Sequence, residues 1–242
     1  QGEEGVDVAG EHHQPVIRAQ GRAIGKFIHI AAALEAKGFK QGEGRGHIQA
    51  IDIHHAGGMG IIGEKSENVY LRHVNVRLKD GTDRMITTTA DATHFCNCRG
   101  ELLIEDCLFE NMLDDATNVH GTYMIVDTVL NEKTLIARLN HFQQSGYDFA
   151  QKNDVIQFVR KGVLTNEGQS ELKACEKLND EYYRFVFKNE IPASVGKGDA
   201  LENITWYPDL IMRNNVIRNN RARSILLSLP GNTLIEGNTF SS

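Results

Sequence analysis

Little in this sequence is basic, and nothing in it is both long and apolar. Its 242 residues carry 26 Lys and Arg against 32 Asp and Glu, a formal net charge of −6. That balance argues against a general nucleic-acid binder, because phosphate contacts need clustered Lys and Arg. No apolar run approaches the ~20 residues that a membrane-spanning helix needs, and no signal peptide is visible. The four cysteines, Cys96, Cys98, Cys107 and Cys175, have neither paired CxxC metal spacing nor the density of a disulfide framework. They read as three core thiols in one region and a fourth apart.

What is present is the composition of an ordinary globular protein, with 40% hydrophobic and 24% charged residues on a chain long enough to bury a sizeable core. It opens on Gln1 without Met and closes on Phe240-Ser241-Ser242 directly after a strand pattern, and so reads as a piece of a longer protein.

Residues 1–46 form an atypical segment, rich in glycine and charge. Phe27, Ile28, Ala31, Ala32 and Leu34 can line one apolar face over residues 23–38, stopped by Gly38. A short leader helix, an unfolded tail and a non-native coding segment are the three readings. From His47 a repeat begins. Val69-Tyr-Leu-Arg72-His-Val-Asn75-Val76 aligns with Leu102-Leu-Ile-Glu105-Asp-Cys107-Leu-Phe109, with Leu210-Ile-Met-Arg213-Asn-Asn215-Val-Ile217 and with Thr233-Leu-Ile-Glu236-Gly-Asn238-Thr-Phe240. A short apolar rung cannot bury its own face, so such units stack, and Asn at the turn can ladder with Asn above and below. Asn215, Asn238 and the pair Asn219-Asn220 are candidates for those ladders.

The fold class this implies is all-β, a right-handed parallel β-helix. Rungs run over 47–123, the coil pattern lapses over 124–206, and it continues over 207–242, where it reads as truncated. Within the lapse, apolar alternation at 124–130 and 134–139 flanks Asn131-Glu132-Lys133, a hairpin signal. Further short runs at 154–159 and 182–188 suggest an inserted, small antiparallel β-barrel-like domain. Glu167, Glu171, Lys173, Glu176 and Lys177 read as its solvated face.

Chemistry concentrates in residues 90–123, which hold Asp91, His94, Asp114, Asp115, Asn118, His120 and Tyr123. If rungs stack, residues 24 positions apart such as Asp91 and Asp115 return to one spot. Adjacent acids can make a calcium site, a glycosidase acid/base pair or a solvated turn, and on a bend both members can face one cleft. Stacked rungs about 4.8 Å apart make an inverting or a retaining carboxyl pair geometrically open. His94-x-Cys96-x-Cys98 lacks the spacing of a zinc set. His120, beside Gly121, reads as a ligand-orienting donor. His54-His55 precede Ala56-Gly57-Gly58-Met59-Gly60, which is no nucleotide loop but suits a tight turn of the coil. Arg221 and Arg223 alternate, as on one face of a strand, and suit either sugar hydroxyls or a neighbouring carboxylate. Trp206 and Tyr207 suit sugar stacking or packing at the edge of the insert.

Taken together, His54-His-Ala-Gly-Gly-Met-Gly60, Thr88-Thr-Ala-Asp91-Ala-Thr-His94-Phe95, Met112-Leu-Asp114-Asp115-Ala-Thr-Asn118-Val-His120-Gly-Thr-Tyr123 and Asn219-Asn-Arg221-Ala-Arg223 resemble glycoside hydrolase family 110, bacterial α-1,3-galactosidases of the blood-group B cleaving type. The resemblance spans residues 47–242. It implies an inverting, metal-independent hydrolase with no cofactor, whose catalytic acids match Asp91, Asp114 and Asp115. His94, Asn118, His120, Tyr123, Arg221 and Arg223 are then expected around an α-galactosyl oligosaccharide or glycoconjugate, and a periplasmic, cell-surface or secreted bacterial location is implied. Two other readings stand beside it. One is a pectinase-like β-helix hydrolase or lyase, since paired aspartates near a His-Gly and a basic strand also resemble a polygalacturonase site. The other is a non-catalytic carbohydrate-binding coil. Oligomeric state is open.

Overall fold

The computed structural model describes residues 47–141 and 144–242 throughout. Of the earlier residues it describes the strand backbone at Val16–Ala19, Ile28–Ala31, Leu34–Ala36, Phe39–Gly42 and the start of Arg45–Ile53. No α-helix occurs among the described residues, and none is therefore long and apolar enough to cross a membrane. The helix read over residues 23–38 lies partly outside the described residues. Where that stretch is described, at Ile28–Ala31 and Leu34–Ala36, it is strand.

The chain divides into two compact units: the described residues up to Val119 together with Pro208–Ser242, and His120–Tyr207. From Arg45–Ile53 onward the first is built of parallel ladders in the register of the sequence repeat, while the four described strands before it pair antiparallel. Val69 pairs with Leu102, Leu102 with Leu210, and Leu210 with Thr233, one residue on each of four stacked rungs. Past a bend the register resumes, with Val76 beside Phe109, Phe109 beside Ile217 and Ile217 beside Phe240.

The bend recurs at one height in every rung. Ala50, His73, Asp106, Asn214 and Gly237 all have positive φ, between 51° and 63°, a conformation that suits Asn, Asp and Gly best. The following residue turns its side chain back into the stack. Asn215 is fully buried: its Oδ1 accepts the Cys107 amide at 2.9 Å and its Nδ2 donates to Ile104 O and to Asn238 Oδ1, each at 2.9 Å. The Asn215–Asn238 ladder thus forms. Asn219 instead occupies another positive-φ bend, and Asn220 Nδ2 donates to the nearby Ala222 carbonyl.

Alternate residues of these strands fill one core that includes Leu71, Val74, Val76, Leu102, Ile104, Phe109, Met212 and Ile217, each at most 1% exposed. Burying each such side chain is worth about 1.5–3 kcal/mol. Cys98 and Cys107 lie in it too, and burial pushes both thiols up to about 12. A second sheet lines up Ile61–Glu64, Thr93–Cys96, Thr117–His120 and Ile225–Ser228.

The second unit is a closed barrel. Tyr123–Asn131, Thr134–Leu139, Tyr182–Phe187, Asn166–Lys177, Val155–Val159 and Ala200–Asn203 follow one another around it, with antiparallel pairs. The charged stretch read as a solvated face is itself the longest barrel strand. Its Ser170 and Leu172 point inward while Glu167, Glu171, Lys173, Glu176 and Lys177 lie on its more exposed positions. Phe149, Phe158, Phe185 and Phe187 fill the barrel. Trp206 is 1% exposed and donates its indole N–H to Asp154 Oδ2 at 3.1 Å, so it packs inside this unit and offers no face to a sugar. Tyr207 donates its hydroxyl to Glu202.

Candidate active site

The four sequence motifs fall on successive turns of one column in the first unit. The Gly60 amide donates to Asp91 O at 3.0 Å, the Ala92 amide to Asp115 O at 3.0 Å and the Ala116 amide to Arg223 O at 3.0 Å. Gly60, Asp91, Asp115 and Arg223 therefore stand one above another. Asp91-Ala-Thr-His94 and Asp115-Ala-Thr-Asn118 are the same turn repeated. Thr93 Oγ1 donates to Thr117 Oγ1 at 3.0 Å beneath it, and the Asp115 amide donates to Asp91 Oδ1 at 3.3 Å.

On this column the three aspartates converge, with one carboxylate oxygen of each within 4.8 Å of the others. Asp114 and Asp115 lie on a bend, which is why neighbours in sequence reach one cluster. Asp91 and Asp115 are 4% and 1% exposed and Asp114 is exposed. Two buried acids this close need donors. His94 Nδ1 lies 2.7 Å from Asp91 Oδ2. Arg223 grips Asp115 three times: its main-chain N–H and Nε–H both donate to Oδ1 at 2.9 Å, and Nη2–H donates to Oδ2 at 3.0 Å. The Asp115 carboxylate in turn raises the Arg223 pKa, so the guanidinium stays charged.

A trio of carboxylates has the hard oxygen donors that a divalent cation takes. Here the oxygens of Asp91 and Asp115 already accept from side chains and amides. The thiols beside the site are no ligand set: Cys96 ends its strand, Asn97 turns with φ 47°, and Cys98 Sγ donates to the Gly63 carbonyl at 3.5 Å.

The other sequence candidates are placed as follows. Asn118 follows Thr117 as His94 follows Thr93, and its Oδ1 is buried without a hydrogen-bond partner among the described residues. Arg221 and Arg223 do not share a strand as the sequence reading has them. They lie on a bend ahead of Ile225–Ser228, where Asn219 with positive φ breaks the extended run. Arg221 is exposed, and its amide donates to Met112 O at 3.1 Å. His120 and Tyr123 belong to the second unit, where His120 Nδ1 lies 2.7 Å from Gly121 O and the Tyr123 hydroxyl accepts from Asn140 Nδ2 at 3.1 Å. His54 Nδ1 faces Arg77 O at 3.1 Å and is a satisfied core histidine. The grip of Arg223 on Asp115 is what sequence reasoning left undecided, and no local pattern announces a pair 108 positions apart.

Residues 134–201, within the antiparallel barrel, match the family described as GLAA-B beta-barrel domain II. The relatives are more particular. The chain is 36% identical over 196 residues to alpha-1,3-galactosidase A of Shewanella woodyi, covering 81% of this chain and 32% of that protein. It is 37% identical over 193 residues to alpha-1,3-galactosidase B of Akkermansia muciniphila, covering 80% and 24%. To alpha-1,3-galactosidase B of Parabacteroides distasonis it is 37% identical over 203 residues, covering 80% and 33%. The chain is thus similar to alpha-1,3-galactosidases over about four fifths of its own length, and it spans about a quarter to a third of the length of these curated relatives.

Proposed function

We infer that this chain carries the acid/base centre of an exo-acting glycoside hydrolase that removes terminal α-1,3-linked galactose from blood-group B-type or linear α-galactosyl glycans, by inversion and without a metal. The observation that carries the reading is the convergence of Asp91, Asp114 and Asp115 on one column, with oxygens within 4.8 Å, in a chain similar to proteins named alpha-1,3-galactosidase. The stacked rungs wind as a right-handed parallel β-helix, the hand that parallel crossover connections take in about 98% of cases, and residues 124–206 are the domain inserted in it.

In this mechanism Asp115, with both oxygens accepting from Arg223, works with Asp91 to take a proton from water as that water attacks the anomeric carbon. Asp114, exposed to solvent, gives its proton to the departing glycosidic oxygen as the bond breaks. The Oδ1 of Asn118, without a partner among the described residues, accepts from a sugar hydroxyl, which answers the general rule that buried polar atoms find partners.

The facing oxygens are closer than the ~6.5–9.5 Å between carboxyl groups of an inverting pair, so the anomer of the released sugar is the deciding measurement. The chain is incubated with Galα1-3Gal and with the fucosylated blood-group B trisaccharide, and products are followed by NMR. β-Galactose as the first product, at a rate unchanged by EDTA, is expected. α-Galactose as the first product would refute inversion, and no release by a folded chain would refute the assignment of activity to it.

A further inference from the structure

Arg223 belongs to a series. Glu105 with Arg213, Glu110 with Arg218 and Asp115 with Arg223 are acid–arginine pairs between the same two rungs, each 108 positions apart. The first two clamp the stack. Glu105 takes Arg72 on one side at 3.0 Å and Arg213 on the other, and Glu110 accepts from Arg218 at 2.7 Å and from the Leu78 amide at 3.1 Å.

The third pair differs in two respects. Arg223 also gives its main-chain N–H to the carboxylate it pairs with. And the carboxylate it holds is the most buried of the aspartate trio, 2% exposed at the side chain against 61% for Arg223. A bidentate guanidinium fixes a carboxylate in plane and register as well as in charge. Three of the N–H groups that could recognise a sugar are spent on Asp115 instead.

We propose that Arg223 is a positioning residue, acting on substrate through Asp115: it aims the base at the attacking water and sets a fixed guanidinium against it where Asp91 and Asp114 converge. The proposal rests on the reading of Asp115 as a base. It replaces the expectation of Arg223 as a sugar ligand.

The test compares wild type, Arg223→Ala, Arg223→Lys and, as a control clamp outside the site, Arg213→Met, each as the full 242-residue chain with folding checked by circular dichroism. Because the Arg223 main-chain N–H survives substitution, Asp115 keeps one donor from that rung in each Arg223 variant. Arg223→Ala should lower kcat about 100-fold, the loss that a misplaced catalytic group brings, with KM nearly unchanged. Added guanidinium ion at millimolar concentration should restore part of kcat, and Arg223→Lys, which keeps charge but not the fork, should fall between. Arg213→Met should lower Tm while kcat holds. A rise in KM at constant kcat in Arg223→Ala would show a sugar ligand and overturn the proposal. Equal kcat losses in Arg223→Ala and Arg213→Met, with no guanidinium rescue, would show only a structural clamp. No galactose release by the wild-type chain would bring down the functional reading and this proposal with it.

Discussion

Single side chains bear most of the polar accounting inside the stack. Asn215 satisfies one amide, one carbonyl and one side-chain oxygen while fully buried. Asn215→Ala strands the Cys107 amide, and a buried orphan costs about 1–3 kcal/mol. The expected destabilisation is therefore about 1–3 kcal/mol, read as a lower urea midpoint, and a loss under about 0.5 kcal/mol would show that the ladder is not needed. Asp52 gives a pH signature. Burial raises its pKa, but hydrogen bonds from Asn75 at 2.8 Å and Arg77 at 3.4 Å outweigh that and hold it below the usual 3.8. A carboxyl lowered by folding stabilises the fold above its unfolded pKa, and that stability is lost as pH falls through the folded value. Tm should thus fall more steeply below about pH 4 in wild type than in Asp52→Asn, and parallel curves would contradict the assignment.

At the scale of strands and bends, the glycines after His55 separate two explanations that composition merges. Glycine there suggests a tight turn, yet Gly57, Gly58 and Gly60 all lack positive φ. The reason for glycine survives only at Gly60, where a Cβ would lie 2.6 Å from the Ala92 carbonyl oxygen, whereas Gly57 and Gly58 have nothing within 4 Å. Gly60→Ala must push apart the rung that carries Asp91, at a cost of about 1–3 kcal/mol for overpacking, read as a lower Tm. Gly57→Ala should leave Tm within about one or two degrees, and an equal drop in both would restore the turn explanation. The same contrast marks what the sequence disclosed. Stacking repeats an environment every rung, so aligned Val69, Leu102, Leu210 and Thr233 foretell their own register, and the recurrence of Asp-Ala-Thr foretells that Asp91 meets Asp115. Asn166–Lys177 hid because an exposed barrel strand spends its alternation on charges and leaves only Ser170 and Leu172 facing in. Phe27 to Leu34 misled because β-branched and small apolar residues fit a helical stripe and a strand alike, and Ile28–Ala31 is strand.

For the whole chain, the question is how far the two units depend on each other for stability. Each has its own core: the stack packs around Val76, Phe109 and Ile217, and the barrel packs around Phe149, Phe158, Phe185 and Phe187. The stack is quasi-one-dimensional, each rung being stabilised by the next. Its last strands, Thr233–Glu236 and Thr239–Ser241, have no buried position, with Leu234, Ile235 and Phe240 more than 40% exposed. The barrel has no such open edge, because its six strands close on themselves, and closure alone removes the unpaired edge that makes sheets associate. It is also pinned from within, where Asp154 Oδ2 accepts from Asn203, Trp206 and the Gln151 amide. His120–Tyr207 exceeds the ~55–65 residues at which many domains fold alone. Expressed by itself it should give a β-type circular dichroism spectrum and one cooperative melt, and Asp154→Ala, which removes the carboxylate that Asn203, Trp206 and the Gln151 amide share, should destabilise it by about 1–3 kcal/mol. An excised barrel with no cooperative transition would mean that its closed core is held together only in the presence of the stack.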